Sequence, residues 1–294
     1  MFKAGRIGRG PTARSAAPAS DRSAPQGGPP TWGKLGAVPT VAALVSALAE
    51  RTRPESAASW DPVGLQLGDP AGRADTVAVC HEVTEEVVNA VESAPVDLLV
   101  TYHPLLFDPV NRIIGGRSPA ARALRLLRAG ASLIVIHTDF DGAPGGTADV
   151  LASTIRLHDV APFGGDQAQG LPPVGRVGSF EQTLESLENL VSDVFGSTGL
   201  RVSGERSGTL DRVAVIPGSG SRHIDDAASV ADAIVTGDVS HHRVVHALDL
   251  GLAVVDPGHI ATERPGITAL VTMVADVVGD SVVDLTELDP QTWT

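Results

Sequence analysis

From residue 38 onward, short apolar runs alternate with stretches whose apolar residues recur at helical spacing. Residues 38–50 (VPTVAALVSALAE) predict an amphipathic helix starting near Thr40, where a hydroxyl can cap the first turn. TVAVC (76–80), DLLVT (97–101) and SLIVI (132–136) predict strands. The segments between and after them, 84–93, 118–129 and 147–155, predict helices. The pattern then repeats, with helices over 182–195, 223–230, 241–250 and 266–278 and strands over 212–216, 233–236 and 252–256. Strands this short and this uniformly apolar are buried on both faces, which implies parallel sheets covered by helices. The expected fold class is therefore α/β, with two related layered halves and parallel-rich sheets. The glycine- and proline-bearing stretch 164–173 (GGDQAQGLPP) marks the break, giving halves at 37–165 and 166–294. The C-terminal segment could instead complete the first half.

Residues 1–36 depart from this pattern. They hold seven Gly and five Pro and show no apolar period, so they read as a disordered, solvated extension rather than an organelle transit peptide. Six basic residues and one acid give the segment +5 within a chain of −13, leaving −18 on the rest. A body this acidic repels phosphate backbones, which argues against nucleic acid, and it accommodates divalent cations. Hydrophobic residues make up 43% of the chain, but no apolar run reaches the roughly 18 residues of a membrane span. A soluble, cytoplasmic protein is expected.

Rare residues remove several chemistries. Cys80 is the only cysteine, which excludes an internal disulfide and a thiolate zinc cluster. Lys3 and Lys34 are the only lysines, so the body has neither a Schiff-base lysine nor a phosphate-loop lysine. Histidines and carboxylates remain. DLLVT runs into Tyr102-His103, SLIVI into His137 with Asp141 four residues on, and the strand at 252–256 into His259 with Glu263 four residues on. Ligands of open parallel sheets gather at the carboxyl ends of strands. Imidazole and carboxylate sets suit zinc, manganese or iron. A helix starting after Gly258 would put His259 and Glu263 on one face. His137 reads either as a ligand or as a supporting or catalytic residue. Gly218-Ser219-Gly220-Ser221, between a strand and a helix, offers backbone N–H groups to an anion, although such glycines also simply make turns. His242 and His246 share a helix face with His241 nearby, and read as a solvated helix surface.

These stretches carry a resemblance. SWDPVGLQLGDP (59–70), DLLVTYHPLLF (97–107), HTDFDGAPGGTADVLA (137–152), GRVG (175–178), IPGSGS (216–221), DAIVTGDVSHHRVVHALDLG (232–251) and VVDPGHIATERPGITAL (254–270) resemble, in order, the hallmarks of a known family. It is the NIF-three-like dinuclear-metal family, the GTP cyclohydrolase I type-two homologues. The likeness spans roughly 38–285. It implies a metal site in the cleft between the halves, with His103, Asp141, His259 and Glu263 as ligands, and a ring-shaped homohexamer. The family's remaining histidine falls on Tyr102, and a phenol is a poorer ligand than imidazole. One tightly held divalent ion and a second, weak one are therefore expected. A metal-dependent hydrolase of a small, nucleotide-like substrate is the first functional expectation. A non-enzymatic metal store, chaperone or regulatory scaffold is the second.

Overall fold

The computed structural model of the chain describes residues 39–165, 173–279 and 282–288. The N-terminal extension expected at 1–36, and most of the expected break at 164–173, lie outside the described residues. Helix α1 (Val41–Thr52) starts where the pattern placed it, with the Thr40 hydroxyl accepting from the Ala43 N–H. Strand β1 (Gly64–Leu67) follows, then β2 (Val77–Cys80), α2 (Glu85–Ser93), β3 (Leu98–Thr101), α3 (Pro119–Ala129) and β4 (Ser132–Val135). Thr84 and Ser118 cap α2 and α3, and Pro119 occupies the first turn of α3, where its missing N–H costs nothing. A single turn, α4 (Thr138–Asp141), leads into α5 (Thr147–Thr154).

The second series runs β5 (His158–Phe163), β6 (Gly175–Thr183), α6 (Leu184–Phe195), β7 (Arg201–Ser203), β8 (Thr209–Ser219), α7 (Ile224–Ala228), β9 (Ala233–Gly237), α8 (His241–Asp249) and β10 (Ala253–Asp256). Helix α9 (His259–Val278) and strand β11 (Val282–Asp284) close the described chain. Two sheets result, one of five strands in the order β1-β4-β3-β2-β11 and one of six in the order β5-β6-β8-β9-β10-β7. The first is parallel except for β1, which pairs antiparallel with β4. The second keeps a parallel centre of β8, β9 and β10 but is flanked by antiparallel β6, β5 and β7, so it is more mixed than the pattern predicted.

Each sheet is covered on both faces. Leu44 and Leu48 of α1, with Ile267, Leu270 and Val274 of α9, pack on Val77, Val79, Leu98 and Val100 of the first sheet. Val87, Val88 and Val91 of α2 and Leu126 of α3 pack on its other face with Ala78, Cys80 and Leu99. In the second sheet, Leu151 and Ile155 of the α5 segment join Leu184, Leu187 and Val191 of α6 on one face. Ile224 and Ala227 of α7 and Ala247 of α8 cover the other. Helix α9 begins against the second sheet, crosses α5, and ends on the first sheet, where β11 pairs with β2. At the crossing, a Cβ on Gly266 would lie 2.4 Å from Thr147 Cγ2 and 2.7 Å from Thr147 Cα, so only glycine permits this approach.

Candidate metal centre

Strands β2, β3 and β4 lie side by side in parallel register, and a histidine follows closely at each carboxyl end: His81, His103 and His137. The first turn of α9 brings His259 and Glu263 to the same place, four residues apart on one helix face. Glu263 is the hub. Its Oε2 lies 2.9 Å from His81 Nε2 and 3.3 Å from His103 Nε2, while its Oε1 lies 2.9 Å from His259 Nε2. His81 and Glu263 are buried and His103 is half-buried. Ligand atoms of His81, His103 and Glu263 all fall within 4.8 Å of one another. Bonds of about 2.0–2.2 Å to a shared ion put neighbouring ligand atoms roughly 3–3.5 Å apart, close to this arrangement. Two imidazoles and a carboxylate are also a fitting donor set for zinc, manganese or iron.

The turn at Gly218 makes room for this cluster. A Cβ there would stand 2.4 Å from Glu263 Oε1 and 3.1 Å from His259 Nε2. Its φ of +63° also favours glycine. The Gly218 and Gly220 N–H groups donate to the hydroxyls of Thr262 and Thr236, so these two donors of the expected anion site are engaged within the protein. Ser219 is exposed, and the Ser221 hydroxyl donates to the Asp238 carbonyl.

Electrostatics follow from burial and from pairing. Burial alone would raise the Glu263 carboxyl, but hydrogen bonds from His103, His259 and His81 outweigh it and hold the pKa well below the usual range. Burial likewise opposes a charge on His259. Its bonds to Glu263 and to Asp238, 2.8 Å from Nδ1, win and raise it to about 9. Tyr102 is fully buried, and burial together with the charges of Asp141 and Glu263 pushes its phenol well above the ordinary value. Its hydroxyl donates to Asp141 Oδ1, which also accepts from Thr147 Oγ1. Burial raises Asp141 itself to about 6, against the opposing pull of His137 and of these two donors.

His137 packs edge-on against Tyr102, with ring centroids 5.1 Å apart. Its Nδ1 lies 3.0 Å from Oδ2 of Asp61, an oxygen that also accepts from the backbone N–H and hydroxyl of Thr138. Burial pulls the His137 pKa down, but the Asp61 bond and the surrounding carboxylates raise it overall. Of the residues expected from sequence, the structure thus gathers His103, His259 and Glu263 around one carboxylate. Asp141 and Tyr102 are next to that group but bonded to each other. His81 is a further member of the group that the sequence motifs alone do not single out. The signal was present, because His81 directly follows β2 just as His137 closely follows β4, and the strand-end rule applies to both. Asp61 lies in the SWDPVGLQLGDP motif, whose spacing alone does not reveal its bond to His137. His241 and His242 meet edge-on on α8 with ring centroids 5.5 Å apart, and His246 pairs with Asp225; none of the three joins the cluster.

Layered α/β halves carrying a histidine–carboxylate cluster at their strand ends define a class of α/β proteins with a candidate metal-binding site. The model of the Duf34/NIF3 (NGG1p interacting factor 3) family matches residues 39–290, and the chain belongs to that family. Among curated relatives, it is 31% identical to a GTP cyclohydrolase 1 type 2 homolog of Streptomyces coelicolor over 236 residues, covering 78% of this chain and 83% of the relative. It is 32% identical to the homolog of Lactococcus lactis over 227 residues, covering 76% and 84%. Among solved structures, a Bacillus cereus protein related to NIF3 shares the fold with a TM-score of 0.74 at 20% identity, covering 86% of this chain and 98% of that one. Reduced HcgD from Methanocaldococcus jannaschii gives 0.73 at 25% identity, covering 85% and 98%.

Proposed function

We propose that this chain holds a divalent ion on His81, His103 and Glu263 and uses it to hydrolyse a small molecule. The observation that carries this reading is the convergence of two imidazole nitrogens on one buried carboxylate oxygen at adjacent strand ends. A bound ion would supply a Lewis acid and lower the pKa of a coordinated water. The chain's own residues contribute the rest. Glu263 brings the negative charge, and His259 fixes the carboxylate through its second oxygen. Asp61 accepts a hydrogen bond from Nδ1–H of neutral His137, which leaves Nε2 as the lone-pair nitrogen able to accept a proton near the site. Tyr102 keeps the Asp141 carboxyl hydrogen-bonded beside it.

One tight ion per chain is expected rather than two. Asp141 Oδ1 is engaged by Tyr102 and Thr147, and the phenol resists ionisation. Elemental analysis of dialysed protein should find close to one zinc, manganese or iron. His81→Ala should lower that at least about tenfold in affinity, since each ligand of a small site matters to geometry and strength. Tyr102→His should add a second ion, and Tyr102→Phe should leave one. Two tight ions in wild type would refute this stoichiometry.

The relatives' name points to cyclohydrolase chemistry, so the decisive screen includes GTP with other nucleotides, phosphoesters and cyclic amidines on metal-loaded protein. Turnover that disappears in Glu263→Gln supports the hydrolase. Full metal loading with no turnover of any compound favours the second reading, a non-enzymatic metal-binding protein. The Tyr102–Asp141 pairing lends that reading its weight.

A further inference from the structure

We propose that Trp60, Phe107 and Arg222 form a recognition rim beside the metal cluster for a planar aromatic ligand bearing an anionic group. The chain is poor in aromatics, at 3%, yet Trp60 and Phe107 stand 48% and 54% exposed with ring centroids only 5.7 Å apart. Trp60 approaches His137 at 6.2 Å, and His137 approaches His103 at 5.6 Å. The rings therefore lead stepwise from the surface to the cluster. From the second sheet, just after the Gly218 turn, Arg222 lays its guanidinium over Trp60 with Cζ 5.7 Å from the ring centre. Among the described residues no carboxylate pairs with Arg222, although Arg243 nearby is paired with Asp225. A guanidinium held on an aromatic face keeps its N–H fork for a planar anion.

The rim is fixed in place before any ligand arrives. Asp61, the neighbour of Trp60, is tied to His137 and Thr138. Gln66 on β1 clamps the residue before Phe107 twice, accepting from the Leu106 N–H at 2.8 Å and donating to its carbonyl at 3.0 Å. Exposed rings on rigid supports lose little entropy on stacking, and base–aromatic stacking tolerates many ring systems. The ligand class is thus an aromatic ring with a phosphate or carboxylate. This inference deepens the hydrolase reading by naming what the site would present to the metal, but the binding itself does not depend on the metal.

Calorimetric titration of the full chain with 5′-AMP, adenosine and inorganic phosphate tests the rim. AMP should bind at least about tenfold more tightly than adenosine or phosphate, because only AMP engages both ring and cation. Arg222→Ala should bring AMP down to the adenosine level and leave adenosine unchanged. Phe107→Ala should weaken both. His81→Ala should lower metal content by elemental analysis while AMP still binds in chelator, which separates failure of the rim from failure of the metal site. Equal affinity for AMP and adenosine would overturn the proposal, as would AMP binding unchanged by Arg222→Ala.

Discussion

His259 pairs with carboxylates on both sides of its ring, and that arrangement sets a pH dependence. Its pKa rises from 6.5 to about 9 in the folded protein, so its protonated form is favoured there. The resulting stabilisation is complete below pH 6.5 and is lost as pH rises through about 9. A shift of this size corresponds to about 3 kcal/mol. In metal-stripped protein the urea midpoint should fall across that window, and His259→Gln should flatten the fall; an unchanged slope would count against the pairing. Asp141 acts in a separate window. Its pKa is raised from 3.8 to about 6, so its contribution is complete below 3.8 and fades through about 6. At this scale the sequence revealed His103, His259 and Glu263 because each sits at a strand end or on a helix face that spacing can predict. It hid the Tyr102–Asp141 bond, because which of two neighbours an oxygen accepts from depends on side-chain packing that spacing does not encode.

The same contrast holds for elements. The central strands β2, β3, β4, β9 and β10 were legible because they are buried along their whole length and read as unbroken apolar runs. The edge strands β1, β5, β7 and β11 were not. They are largely exposed or half-buried, so no apolar run marks them. The apolar period marks helix α9 only from Gly266, yet it begins at His259, the start that the His259–Glu263 spacing allows; the polar first turns and Pro265 mask its period. Gly266 itself carries a prediction. Alanine is intrinsically better in a helix by about 1 kcal/mol. The added methyl would nevertheless meet the Thr147 backbone, and forcing two packed helices apart costs about 1–3 kcal/mol. Gly266→Ala should therefore lower the melting temperature, and a rise would show that α5 and α9 can separate freely. Thr147 also donates to Asp141, so the same substitution should shift the titration of Asp141.

At the scale of the whole molecule, composition predicts that residues 1–36 contribute no packed apolar face. Deleting them should leave the melting temperature within about 2 °C of the full chain by calorimetry; a larger drop would show that they pack. The family likeness further predicts an assembly larger than a dimer, which a monomer mass by light scattering in the micromolar range would refute. Among the described residues no helix is long and apolar enough to cross a membrane. The path of α9 and β11 has a consequence for how the chain is made. Val77 pairs with Val282, so β2, already beside β3, waits for its second partner roughly two hundred residues downstream, and the face of the first sheet under α9 stays uncovered until then. During synthesis at about 5–20 residues per second, Val77, Val79, Leu98 and Val100 would emerge from the ribosome roughly eight to forty seconds before their cover. The N-terminal sheet, first to be translated, is therefore the last to be finished.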